Sequence, residues 1–164
     1  MNRQRKTLID RLEQSGKEYL TYLSQLSAEE VNAQPSPTEW SIHKVAAHVR
    51  DCETHVFLRR VERVLAESHP AFQNFDQDEY WKSNGYSPDE PLQKIIADFR
   101  RDRRKLVRAL RAAPDAAWKN WGKHSAYGNV SLDWLAMHCY HHTLEHVAQM
   151  GYAREKELLK ELNR

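Results

Sequence analysis

The sequence predicts an all-α protein, a four-helix bundle with long connecting loops. Four stretches carry apolar residues at helical steps, three of them open on a serine cap, and only five glycines occur in 164 residues. A chain of this length is read as a single domain, residues 1–164, large enough to bury a core. Hydrophobic residues make up 40% and charged residues 29%, a balance that fits a soluble protein and leaves no apolar run to cross a bilayer.

Leu8, Leu12, Tyr19, Leu23 and Leu26 recur at helical spacing and predict a first helix over about residues 3–25. "SAEE" at 27–30 reads as a capping box that opens a short second piece, ended by the loop "AQPSPTEW". Ser41 caps a long helix to about Glu67, with Ile42, Val45, Val49, Cys52 and Val56 as its stripe. The connection at 68–87 holds one or two helical turns in "DQDEYWKSNG". "SPDE" at 87–90 combines a Ser cap, Pro at the first helical position and Glu three residues after the cap, so it predicts the start of a third long helix. Leu92, Ile96, Phe99, Leu106 and Leu110 mark that helix to about Ala113. Pro114 begins a second long connection, and Ser131 caps a last helix that continues past Gly151 into "AREKELLKEL". Loops of this length often shape a site, so Tyr80, Trp81, Tyr86, Trp118 and Trp121 are expected to border a cleft.

The net charge of +2 promises no strong pull toward nucleic acid. In "RRDRRKLVRALR", Arg100, Arg104, Arg108 and Arg111 share one helical face and read as solvated. Arg103 is different. It lies on the apolar seam between Phe99 and Leu106, which leaves a buried ion pair or a snorkelling stem. No glycine spacing matches a dinucleotide or P-loop motif. Cys52 and Cys139 form no CxxC pair and read as reduced, buried thiols, and "MNRQRKTLID" lacks the apolar block of a secretory signal, so a cytoplasmic location is expected.

Four of the nine histidines fall between positions 138 and 146. On a helical wheel four residues advance a side chain by about 400°, a net drift of about 40°. With Leu132, Leu135, Cys139 and Met150 setting the apolar stripe, His142 and His146 face inward, His138 sits at the margin and His141 points outward. Two adjacent inward imidazoles are hard to satisfy with backbone carbonyls or carboxylates, and a divalent cation satisfies both. A third ligand is available in His48, on the flank of the Ser41 helix. His55 has nearly the same heading two turns on, while His43, His69 and His124 show no comparable setting. Three histidines would leave coordination positions open to water or substrate. Asp51 and Glu145, one turn from the candidate ligands, are read as orienting an imidazole or as a general base, and no catalytic residue is assigned.

"EWSIHKVAAHVRDCE" and "HHTLEHVAQM" together resemble the signature of the DinB/YfiT-like proteins: a Trp-Ser helix start, a His about seven residues later, and a C-terminal HxxxHxxQ. The resemblance covers most of the chain, including Phe99 and Arg103. It implies an up-down-down-up four-helix bundle, commonly a homodimer, with a divalent ion held by His48, His142 and His146; Ni²⁺, Zn²⁺, Mn²⁺ and Fe²⁺ all suit imidazole plus water. It also implies a metal-dependent enzyme acting on a small-molecule substrate. Relatives include S-transferases that use a low-molecular-weight thiol and proposed metal-dependent hydrolases, and the fold does not choose between them. A non-catalytic binding or stress-response protein with a structural histidine cluster is the alternative. Trp40 and Ser41 read as helix staple and cap, and Gln149 matches the motif without an evident role.

Overall fold

Residues 2–163 are described by a computed structural model. Bundle helix α1 (Arg3–Ser24) is followed by short α2 (Ala28–Asn32), whose capping box is complete: Ser27 accepts from the Glu30 amide and Glu30 accepts from the Ser27 amide. Next come α3 (Ile42–Cys52), a π-helical segment (Glu53–Leu58) and α4 (Arg59–Ala66), which together make one long rod. Bundle helices α6 (Leu92–Ala112) and α7 (Leu132–Leu162) complete the set. The chain between α4 and α6 carries β1 (Ala71–Phe72) and α5 (Gln77–Asn84). Between α6 and α7 lie a 3₁₀ turn (Asp115–Lys119) and strands β2 (Trp121–His124) and β3 (Gly128–Ser131).

The rod α3–α4 and helix α1 each pack against both α6 and α7, so the first two long helices lie diagonally across the bundle. In a simple up-down bundle consecutive helices are neighbours. Here the first connection crosses over.

The predicted stripes form the core. Leu8, Leu12, Val56, Phe57, Val61, Leu106, Leu110 and Leu135 fill one end, and Tyr19, Leu23, Ile42, Val45, Val49, Ile95, Phe99 and Met150 fill the other. A polar layer separates them. Arg103 lies only 4% exposed between Phe99 and Leu106, and its fork meets Glu53 at 2.7 and 2.8 Å. It also donates to the Leu12 carbonyl (2.7 Å), Ser15 and Thr143. Gly16 lets this stem approach, because a Cβ there would sit 3.1 Å from Arg103 Cγ. Of the two readings of Arg103, the buried ion pair is the one present.

Three sequence expectations change. The long second helix is not uniform: the π segment widens the turn after Cys52, so His55 leaves the heading of His48 and is exposed. The "SPDE" box does not start α6, which begins at Leu92. Pro91 disfavours a helical Glu90. Ser87 instead accepts from the Asp89 amide in a turn, and Glu90 turns to Arg50. Finally, residues 114–130 are not plain loop. β2 pairs antiparallel with β3 and parallel with β1, and Gly122 lies so close to Phe72 that a Cβ would collide at 2.2 Å.

As expected, Arg100, Arg104, Arg108 and Arg111 are exposed, and Cys52 and Cys139 are buried and free. Burial pushes the Cys52 thiol up to about 12 and raises Cys139 as well, so both stay protonated at neutral pH. No helix among the described residues is long and apolar enough to cross a membrane.

Candidate metal centre

His48 projects from α3, and His142 and His146 project from successive turns of α7. One ring nitrogen from each lies within 4.8 Å of the other two. The Nε2 atoms of His48 and His142 are 3.2 Å apart, and the His146 ring centroid is 4.7 Å from that of His48 and 4.5 Å from that of His142. His138, one turn earlier, is rotated away and stacks on Trp134 at 4.6 Å. His141 is exposed. His43, for which the sequence shows no comparable setting, is buried, with Nδ1 on the Tyr86 hydroxyl and Nε2 on the Glu90 carbonyl. His124 is buried too, its Nδ1 accepting from the Ala126 amide. The His43 ring is satisfied at both nitrogens without an ion.

The three grouped histidines are held differently. His48 Nδ1 lies 2.6 Å from Gln77 Oε1, and His146 Nδ1 lies 2.7 Å from Gln149 Oε1. An amide oxygen can only accept, so each Nδ1 carries the proton and each Nε2 is left with a free lone pair. Gln149, the unassigned glutamine of the sequence motif, thus orients His146. Gln77 is held in turn, since its amide nitrogen donates to Asp51 Oδ2 (3.2 Å), which also accepts from Trp81 Nε1 (2.8 Å). Arg50 closes the far side of Asp51 at 2.6 Å and forks onto Glu90, holding the Glu90 carboxyl down at about 2. With three donors on its two oxygens, Asp51 orients its neighbours and is not poised to act as a base. Glu145 is exposed on the rim of the adjoining cleft.

Do these residues fit a divalent ion? The donor set is three imidazoles, the ligand type that suits zinc, nickel and iron. In the metal-free protein, Nε2 atoms 3.2 Å apart have to share a proton, whereas a common cation takes both lone pairs. Acceptors on Nδ1 are the usual outer partners of metal-bound histidine. The residues fit.

Electrostatics favours neutral rings. Burial, then the neighbouring imidazoles, drives His142 down to about 2, and burial lowers His48 and His146. Below about pH 6.5 the unfolded chain takes up protons that the folded rings refuse, so stability falls as pH falls. For His142 alone the loss in metal-free protein reaches about 2 kcal/mol by pH 5. Urea midpoints at pH 7 and pH 5 measure it, and His142→Gln should flatten the dependence where His141→Ala does not.

Of the five loop aromatics expected near the centre, the structure brings one close. Trp81 bonds Asp51 and packs at a tilt against Trp40, ring centroids 5.3 Å apart. Tyr80 bonds His55, and Tyr86 bonds His43. Trp118 lies in the core under Arg5, and Trp121 stacks on His69 at the hairpin, because the 3₁₀ turn and strands fold that connection over the other end of the bundle. Aromatics not singled out line the centre instead. Trp40 packs 5.5 Å from His48, and Phe57 meets the edge of His142 at 5.1 Å. Beside the histidines opens a cleft of about 740 Å³, bounded by Trp40, His48, Glu145, His146, Gln149 and Tyr152 among others.

Comparison with known proteins agrees with this fold. YfiT from Bacillus subtilis, described as "a probable metal-dependent hydrolase with an unusual four-helix bundle topology", superposes with a TM-score of 0.80 over 96% of this chain and 90% of its own, at 16% identity. TT2238, described as a four-helix bundle protein, gives a TM-score of 0.65 over 90% of this chain and 98% of its own, at 18% identity. Identities this low carry the fold alone. Comparison with curated proteins returns no match. The model of the DinB superfamily matches residues 11–150, which take in part of α1, the whole of the α3–α4 rod and α6, much of α7 and the three grouped histidines, and the chain therefore belongs to the DinB superfamily.

Proposed function

We propose that the chain is a metal-dependent hydrolase whose divalent ion is held by His48, His142 and His146. The observation that carries the reading is the convergence of three imidazole nitrogens within 4.8 Å, with His48 and His146 at the wall of an open cleft of about 740 Å³. A structural site is normally closed by a fourth protein ligand, whereas three ligands beside a cleft leave room for substrate. When bound, the ion acts as a Lewis acid that polarises a carbonyl and lowers the pKa of water. The protein's own residues do the rest. Gln77 and Gln149 fix the rings, Phe57 and Trp40 wall off water on two sides, and Trp40 with Tyr152 offers an apolar face to a small substrate. Of the carboxylates lining the cleft (Glu39, Glu145 and Glu155), Glu145 is next in sequence to a ligand and is the one assigned to accept a proton. The description of YfiT as a probable metal-dependent hydrolase supports the same class.

The test is turnover of activated esters and amides by untagged protein loaded with Zn²⁺, Ni²⁺, Mn²⁺ or Fe²⁺, with thiol conjugation of an electrophile assayed in parallel. Hydrolysis that requires the ion and disappears in His142→Ala supports the proposal. Conjugation without hydrolysis replaces it with an S-transferase. A tightly held ion with neither activity makes the cluster structural.

A further inference from the structure

Helix α5 presents a puzzle of attachment. None of its eight residues is buried, and a helix this short is unstable alone. Its side-chain bonds to the bundle come from one face, at positions 77, 80 and 81, the i, i+3, i+4 spacing of neighbouring turns. Tyr80 reaches His55 on the π segment. The remaining contacts converge on His48 and Asp51: Gln77 binds both, Trp81 binds Asp51, and the Trp81 ring rests against Trp40 and Tyr86.

The polarity of this chain of bonds is fixed from one end. The Asp51 carboxylate accepts from Arg50 and Trp81, so the atom of Gln77 that faces it has to be the donating amide nitrogen. The oxygen of Gln77 is thereby turned to His48 and can only accept, which places the imidazole proton on Nδ1 and the lone pair on Nε2. Were α5 undocked, no other polar contact among the described residues would fix that tautomer: His142 Nε2, 3.2 Å from His48 Nε2, can take either role. Cys52 Sγ sits 3.8 Å from both ring nitrogens and does not discriminate between them.

We infer that Gln77 is a positioning residue for the metal centre and that α5 is a clasp whose docking and ion binding strengthen each other. The inference rests on the three-histidine reading above. Coupling of this kind is reciprocal: if docked α5 improves the site for an ion, the ion must hold α5 docked to the same degree. A neutral amide, rather than a carboxylate, then stands between Asp51 and the ligand, so α5 sets the ring's orientation without adding charge to the centre.

The probe is Zn²⁺ alone, titrated by competition with a chromophoric chelator into metal-free parent, Gln77→Ala and Trp81→Phe, each checked by circular dichroism. Hydrogen exchange at residues 77–84 is followed with and without the ion. Gln77→Ala is expected to lose about 10- to 100-fold in affinity, the usual effect of removing an outer partner of a ligating histidine. Trp81→Phe, which keeps an aromatic ring and Gln77 but removes one bond to Asp51, should lose less. In the parent, Zn²⁺ should slow exchange across α5, and in Gln77→Ala that slowing should shrink. Parent that binds Zn²⁺ while Gln77→Ala binds within twofold of it, or exchange in α5 that ignores the ion, overturns the clasp and leaves the metal centre standing. Parent that binds no Zn²⁺ overturns both.

Discussion

Replacing Arg103 by Leu should lower stability by about 3–5 kcal/mol, the cost of stranding one partner of a buried ion pair. Glu53 is only 1% exposed and loses two charge-assisted bonds in that buried position, where an unpaired carboxylate is costly. The Leu12 carbonyl, Ser15 and Thr143 lose a donor in the same step. The double change Arg103→Leu, Glu53→Leu should recover part of the loss, because two apolar side chains leave no unpaired charge between the two halves of the core. Urea denaturation of metal-free protein at pH 7 measures both. A loss below about 0.5 kcal/mol in the single variant would mean that Arg103 contributes as an ordinary surface residue does, against its burial.

The second large effect concerns the ligands. Alanine at His48, His142 or His146 removes one of three imidazoles, and Zn²⁺ affinity should fall by more than about 100-fold in each variant, whereas His141→Ala should bind as the parent does. His138→Ala should also bind normally, since that ring is engaged with Trp134. Acid should weaken binding at a lower pH than a free imidazole would dictate. The folded rings resist protonation, so protons compete poorly with the ion until the chain itself loses stability. Chelator competition across pH 5–8 separates the two effects. Binding lost at the ordinary imidazole pKa, with the fold intact, would mean that the rings are solvated.

Helical periodicity made the bundle legible, because a stripe recurring every three to four residues fixes both an element and the face it buries. The same wheel placed His142 and His146 on one face and turned His141 outward, and the structure groups the first two with His48. Local chemistry was less decisive. The capping residues at 87–90 were present, yet Pro91 moved the helix start beyond them. The π segment leaves no mark on an apolar stripe, so the departure of His55 from the heading of His48 could not be read. Glu53 was within reach: it lies four residues after Val49 and three before Val56, a charge on an apolar face just as Arg103 is, and the two have to meet. The β-hairpin was obscured by strands of four residues each. Gln77 carried no local signal, because its partner His48 is 29 positions away in the chain. Contacts that a loop makes with a helix face depend on how the chain returns, and periodicity is silent about that.

Anomalous diffraction from a crystal of untagged protein loaded with Zn²⁺, collected at the zinc edge, tests the three-histidine centre most directly. The arrangement predicts one peak about 2.0–2.1 Å from Nε2 of each of His48, His142 and His146, with the Nδ1 atoms of His48 and His146 still on Gln77 and Gln149. A loaded crystal with no peak between these rings, or with its peak at His138 or His141 instead, would contradict it.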